Sequence, residues 1–192
     1  LPAFSPYGLS KGLTAQMFRY HVLARGMRLG KFVIANPFGP LEEPRFTTYL
    51  ARTWLQGKTA TVSTPAYVRD NIHVSLLARA YLRFVDGLGE EPGLERINPS
   101  GYVETQGAFA RRMAAELSPR LGVPCQLEFA HQTEFAEPRV RLNTDLLDAG
   151  QLGWDEAQAW DDLAEYYERT LVKPDATTGT AAAQASSLGS AG

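Results

Sequence analysis

Short apolar runs alternate with longer stretches of helical period from residue 9 to residue 170, and this alternation narrows the fold more than any other property. Leu9, Leu13, Met17 and Tyr20 recur at helical spacing, Ala24 continues the stripe and Gly26 follows it. The spacing predicts a helix over 9–25. Residues 31–35 form a short apolar run that reads as a buried strand, and 36–40 a loop punctuated by Pro37, Gly39 and Pro40. A second helix is expected over 46–56, stopped by Gly57, then a strand at 60–63 and an extended segment at 69–74. Ser75 is expected to cap a helix reaching Asp86. A polar connector over 87–93, a strand at 94–98, a helix at 103–117 and a strand at 126–130 follow. Thr144 is expected to cap a short helix broken at Gly153, and a last helix covers 154–170. Strands alternating with helices predict an α/β fold with at least part of a parallel sheet.

A chain of 192 residues suffices for one domain with a sizeable core, and 44% apolar and 21% charged residues are ordinary globular proportions. The net charge of −2 gives no electrostatic case for nucleic acid or an acidic membrane surface. No apolar run approaches the roughly 20 residues of a membrane span. Cys125 is the only cysteine, which excludes an intrachain disulfide, favours a reducing, cytoplasmic setting and reads as a small core hydrophobe. The tail over 174–192 is Ala, Ser, Thr and Gly with almost no large apolar residue, so disorder is expected there.

The start of the chain, Ser5-Pro6-Tyr7-Gly8-Leu9-Ser10-Lys11, carries chemistry. Tyr7 and Lys11 lie four residues apart where a helical pattern opens, so one turn puts both on one face. A cation beside a phenol favours the phenolate and lowers the tyrosine pKa from about 10. Such a phenol exchanges a proton with a sugar hydroxyl or ketone near neutral pH. The pair lies close to Leu1, which is not an initiator methionine, so the chain reads as the second half of something longer.

The features that follow keep a definite order: Asn36-Pro37-Phe38-Gly39-Pro40 after a strand, Arg69-Asp70-Asn71-Ile72-His73-Val74, Asn98-Pro99-Ser100-Gly101, and Leu152-Gly153-Trp154. With the Tyr7/Lys11 segment, this order resembles the extended short-chain dehydrogenase/reductase family, in its nucleotide-sugar epimerase and dehydratase branch, over about residues 2–167. The resemblance implies the C-terminal part of a Rossmann-type doubly wound sheet with an interleaved small α/β substrate-binding subdomain, together over 1–173. It implies NAD or NADP as cofactor and a nucleotide-sugar substrate. Tyr7 takes the place of the catalytic tyrosine, and Lys11 that of the lysine that tunes it and holds the nicotinamide ribose. Pro37 and Phe38 take the place of residues backing the nicotinamide. Asn36 matches an asparagine that contacts the nucleotide sugar, and Arg69 an arginine at the substrate diphosphate, where a planar guanidinium meets phosphate oxygens in pairs. Arg139 and Arg141 alternate on one side of an extended segment, and Arg141 is the candidate to join Arg69. The resemblance also implies a homodimer built through the Tyr-Lys helix.

Departures are specific. Ala15 stands where the family commonly has an acid four residues after the lysine, Asn71 replaces an aromatic, Ser75 replaces an aspartate, and Pro99 replaces a glycine. No G-x-G-x-x-G or G-x-x-G-x-x-G occurs, so a dinucleotide pyrophosphate turn is absent from this chain. Ser5 is too close to Tyr7 to be the family's catalytic Ser or Thr. Epimerase, 4,6-dehydratase and 4-ketoreductase outcomes stay open, as does a non-catalytic binding protein on the same scaffold. His21, His73 and His131 lack ligand spacing, so no metal site is expected. Glu42 and Glu43 read as a solvated loop, Arg111 and Arg112 as an exposed helix face, and Trp154 and Trp160 as packing anchors. Without a partner half the chain is expected to be poorly soluble.

Overall fold

The computed structural model describes residues 5–172. The expected tail therefore lies outside the described residues. Helix α1 (Pro6–Arg25) starts where Ser5 Oγ accepts the Gly8 N–H at 3.1 Å, with Pro6 in the first turn, where its missing donor costs nothing. It ends at Gly26, whose φ of 60° is the left-handed conformation suited to glycine.

Strand β1 (Arg28–Phe32) runs parallel to β5 (Gly93–Ile97), in register from Arg28 opposite Gly93 to Phe32 opposite Ile97. Between them in sequence lie β2 (Asn36–Phe38), helix α2 (Phe46–Leu55), β3 (Ala60–Val62), β4 (Val68–His73) and helix α3 (Val74–Asp86). Then come β6 (Pro99–Ser100), β7 (Tyr102–Thr105), helix α4 (Gln106–Leu121), β8 (Leu127–Phe129), β9 (Val140–Arg141), β10 (Asp145–Leu146) and helix α5 (Glu156–Leu171). The second sheet centres on β4, with β2 parallel to its second half, β9 parallel to its start and β7 antiparallel to it. Two further parallel pairs, β3 with β8 and β6 with β10, complete an α/β architecture of open sheets.

The strand expected over 31–35 ends early: β1 stops at Phe32, the Val33 N–H makes a last bond to Ile97 O at 2.9 Å, and Ile34 is exposed. Residues 36–38, expected as a loop, instead form β2 along β4, because the pairing is set by a partner strand far along the chain.

Helices α2, α4 and α5 enclose the core, where Leu50, Trp54, Phe109, Met113 and Leu163 are fully buried. Fully burying one such side chain stabilises the fold by about 1.5–3 kcal/mol. Phe38 carries β2 into this core, edge-on to Phe109 at 5.1 Å and tilted against Trp160 at 5.4 Å. The Trp54 indole donates to Gln126 O at 2.9 Å and ties α2 to the segment entering β8. Cys125 packs against the same core, and burial pushes its thiol up to about 11.

Four local expectations are corrected. The cap of α3 is His73, not Ser75: His73 Nδ1 accepts the Ser75 N–H. The helix expected over 103–117 begins at Gln106, because 102–105 pair with β4 and Thr105 Oγ1 accepts the Ala108 N–H. No helix follows Thr144: Asp145 Oδ2 accepts the Asn98 N–H at 2.6 Å, and 145–146 pair with β6. Arg112 is not on an exposed face. It is half-buried, bonded to Glu104 and laid over the Tyr102 ring at 4.6 Å.

Asp70, 2% exposed, joins three distant segments. Its Oδ1 accepts the Gly101 N–H at 2.8 Å and its Oδ2 the Asn143 N–H at 3.0 Å. Asn143 Nδ2 donates onward to Val33 O and Pro99 O.

Candidate active site

A cleft of about 300 Å³ opens where β2, β4 and the start of α2 meet. That volume is at the lower end for small-molecule sites. Asn36, Pro37 and Phe38 reach it from β2, Arg69 and Asn71 from β4, and Arg141 from β9. Five residues singled out from sequence for cofactor or substrate thus line one cavity. Strand pairing is the cause: β2 and β9 both run along β4, which brings positions 36, 69 and 141 to one sheet. A shallower hollow of about 170 Å³ adjoins it and shares Asn36 and Arg141.

The side chains differ in freedom. Asn36 is exposed, Pro37 half-buried and Phe38 buried, so Phe38 forms the floor. Arg69 is 6% exposed and its guanidinium is held from several sides. Nη1 donates to Val68 O at 2.8 Å, Arg139 O at 3.1 Å and Pro138 O at 3.3 Å, while Nη2 donates to Glu137 Oε1 at 3.0 Å. Tyr67 lies beneath it, 4.3 Å from ring centroid to guanidinium carbon. Arg141 meets the other oxygen of the same carboxylate, Glu137 Oε2, at 3.2 Å. Asn71 Nδ2 is buried at the cleft without a hydrogen-bond partner. Such an orphaned donor is costly unless a ligand or water meets it.

Tyr7 and Lys11 do not line this cleft. They lie on the exposed face of α1, one turn apart, with Lys11 Nζ 5.3 Å from the Tyr7 ring centroid. Lys11 also borders a hollow of about 490 Å³ between α1 and the β1–β5 sheet, with Arg19, Lys31 and Arg96. Arg45 lines the cleft. Its pKa is raised chiefly by the Glu43 carboxylate bonded to it at 2.6 Å, and the Tyr7 phenol acts on it in the same direction. Arg45, Tyr67 and Glu137 were not singled out from sequence; Arg45 and Glu137 stand in polar, irregular segments whose spacing carries no pattern.

Behind the cleft floor sits a buried polar chain. The Trp154 indole donates to Ser75 Oγ at 2.8 Å, and Ser75 Oγ lies 2.7 Å from His73 Nδ1. With Nδ1 accepting, the imidazole proton sits on Nε2, which has no partner. Burial lowers the His73 pKa to about 4, so the ring is neutral at physiological pH. Trp154 therefore both packs and donates, whereas Trp160 is a core residue. Among the described residues no group of three His, Cys, Asp or Glu side chains is placed to hold a metal ion, and no helix is long and apolar enough to cross a membrane.

Comparison with known structures identifies the fold. The chain is similar to UDP-N-acetylglucosamine 4-epimerase from Methanobrevibacter ruminantium in complex with UDP-N-acetylmuramic acid, at TM-score 0.65 and 16% identity over 88% of this chain and 55% of that one. It is similar to UDP-glucose 4-epimerase from Thermotoga maritima with UDP-glucose, at TM-score 0.63 and 21% identity over 89% and 56%. It is also similar to dTDP-glucose 4,6-dehydratase from Bacillus anthracis in complex with NAD, at TM-score 0.61 and 17% identity over 88% and 54%. The chain thus shares the fold of these nucleotide-sugar epimerases and dehydratases over the part it covers. It spans just over half the length of these structures. No protein-family model and no curated protein matches the sequence.

Proposed function

We propose that this chain is the substrate-binding and proton-transferring part of an NAD(P)-dependent nucleotide-sugar oxidoreductase, of the epimerase, dehydratase or ketoreductase kind. The observation that carries this reading is the convergence of Asn36, Arg69 and Arg141 on one cleft. Arginines at such a cleft suit a diphosphate, and exposed Asn36 suits a sugar hydroxyl.

In this reading the Tyr7 phenol oxygen takes a proton from a sugar hydroxyl, or returns one to a ketone. Lys11, one turn on along the same helix face, brings its positive charge to 5.3 Å from the Tyr7 ring centroid. Pro37, at the cleft with Phe38 beneath it, would back the nicotinamide end of NAD or NADP, and Tyr7 and Lys11, on the exposed face of α1, would meet its ribose. When bound, the cofactor supplies the hydride acceptor and donor. A homodimer through α1 belongs to the same reading, supported by Leu9, Leu13, Met17 and Tyr20, each more than half exposed on that helix. The lone Cys125 suits a cytoplasmic setting.

The test is turnover of UDP- and dTDP-hexoses by the intact protein, followed by cofactor absorbance and product analysis. Tyr7→Phe should lower kcat by about 10²- to 10⁴-fold while UDP still binds. Full turnover by that variant would overturn the assignment.

A further inference from the structure

The two arginines expected at a substrate diphosphate share one carboxylate. Glu137 Oε1 meets Arg69 Nη2 at 3.0 Å and Glu137 Oε2 meets Arg141 Nη2 at 3.2 Å, and all three side chains line the cleft. Two oxygens about one central atom, bridging two guanidinium groups, reproduce the way a phosphoryl group would be held. We propose that Glu137 is a gate on the anion subsite: its carboxylate occupies the place of a ligand phosphoryl group, and a nucleoside diphosphate must displace it to bind. This rests on reading the cleft as a nucleotide-sugar site.

The surroundings fit a group that leaves and returns. Arg69 keeps its position without Glu137, because Nη1 is bonded to three carbonyl oxygens. Displacement therefore bares a guanidinium edge already aimed at the ligand. Glu137 itself sits in 131–139, a segment without helix or strand. That segment is pinned at both ends, by the Ala66 N–H to Gln132 Oε1 at 3.0 Å and by the Val68 N–H to Arg139 O at 2.8 Å. Between the pins the Glu137 backbone makes one long bond, its N–H to the Tyr67 hydroxyl at 3.4 Å. Rotation about the Glu137 side-chain bonds can swing the carboxylate out while Pro138 and Arg139 stay fixed. A diphosphate carries at least two negative charges and more acceptor oxygens than the single carboxylate it replaces, so the exchange favours the ligand.

The consequence is a measurable penalty on affinity. If the displaced form makes up about a tenth of the unliganded population, apparent affinity is lowered about tenfold. The experiment titrates UDP and inorganic pyrophosphate by calorimetry into the intact protein and its Glu137→Gln variant. It also follows hydrogen exchange over 133–138 in the unmodified protein with and without UDP. Glu137→Gln should bind both probes about tenfold more tightly, and UDP should speed exchange over 133–138. If the unmodified protein binds UDP but Glu137→Gln binds no tighter, the gate is overturned and the cleft reading stands. If neither folded protein binds either probe, the cleft reading falls and the gate with it. If the variant does not fold, exchange decides: faster exchange with UDP supports the gate, and unchanged or slower exchange overturns it.

Discussion

A Cβ added at Gly101 would lie 2.4 Å from the Asn71 carbonyl oxygen and 2.8 Å from Ile72 Cα. Both neighbours are backbone atoms of β4, fixed on either side by β2 and β7. Neither can move aside as a flexible side-chain tip could. Gly101→Ala should therefore destabilise the fold by about 1–3 kcal/mol. Urea unfolding should show a lower midpoint at an unchanged slope.

Asp70 gives a second, independent test of the same region. Asp70→Ala strands the buried N–H groups of Gly101 and Asn143, each at a cost of about 1–3 kcal/mol. Asp70→Asn keeps one acceptor oxygen and should lose roughly half as much. Equal stability of Asp70→Ala and the unmodified protein in urea would contradict this role.

His73 predicts an acid limb in stability. Its folded pKa of about 4 lies below the ordinary histidine value of 6.5, because burial opposes the charged ring. Below that ordinary value the unfolded chain takes up the proton and the folded chain does not. This contribution is therefore complete above about pH 6.5 and falls as pH drops toward 4, by at most about 1.4 kcal/mol per pH unit. Melting temperatures measured at pH 7, 5.5 and 4.5 should decline. His73→Gln should remove much of that slope, and an unchanged slope would locate the acid sensitivity elsewhere.

The apolar stripe of α1 sets the assembly prediction. Leu13 and Met17 are 58% and 66% exposed, so replacing both with glutamate removes little burial within one chain. Sedimentation velocity on the intact protein should show a dimer for the unmodified form and a monomer for Leu13→Glu/Met17→Glu. Melting of the chain's own core should change by no more than about 0.5 kcal/mol.

The helices were legible because each carries its own punctuation. Gly26, Gly57 and Gly87 stand where α1, α2 and α3 give out, and the break at Gly153 precedes α5. Two of the two-residue strands were not legible: 99–100 and 145–146 are strands only because partners far along the chain lie beside them. Thr105 and His73 were missed as caps for a related reason, since each ends a strand before it starts a helix. At the cleft, Asn36, Pro37, Phe38, Arg69 and Arg141 were picked out from motif order or alternation, and the structure brings these five together. Glu137 was invisible because its meaning lies in two cations, 68 residues before it and four residues after it, which only the folded chain places around it.

The Asp70 carboxylate bridges partners 31 and 73 residues downstream. During synthesis its second bond must wait for Asn143 to leave the ribosome, roughly 4–15 s after Asp70 at 5–20 residues per second. Until both partners are out, the Asp70 carboxylate stays hydrated rather than buried, so the closed form of β4 waits for β9, the strand just before Asn143.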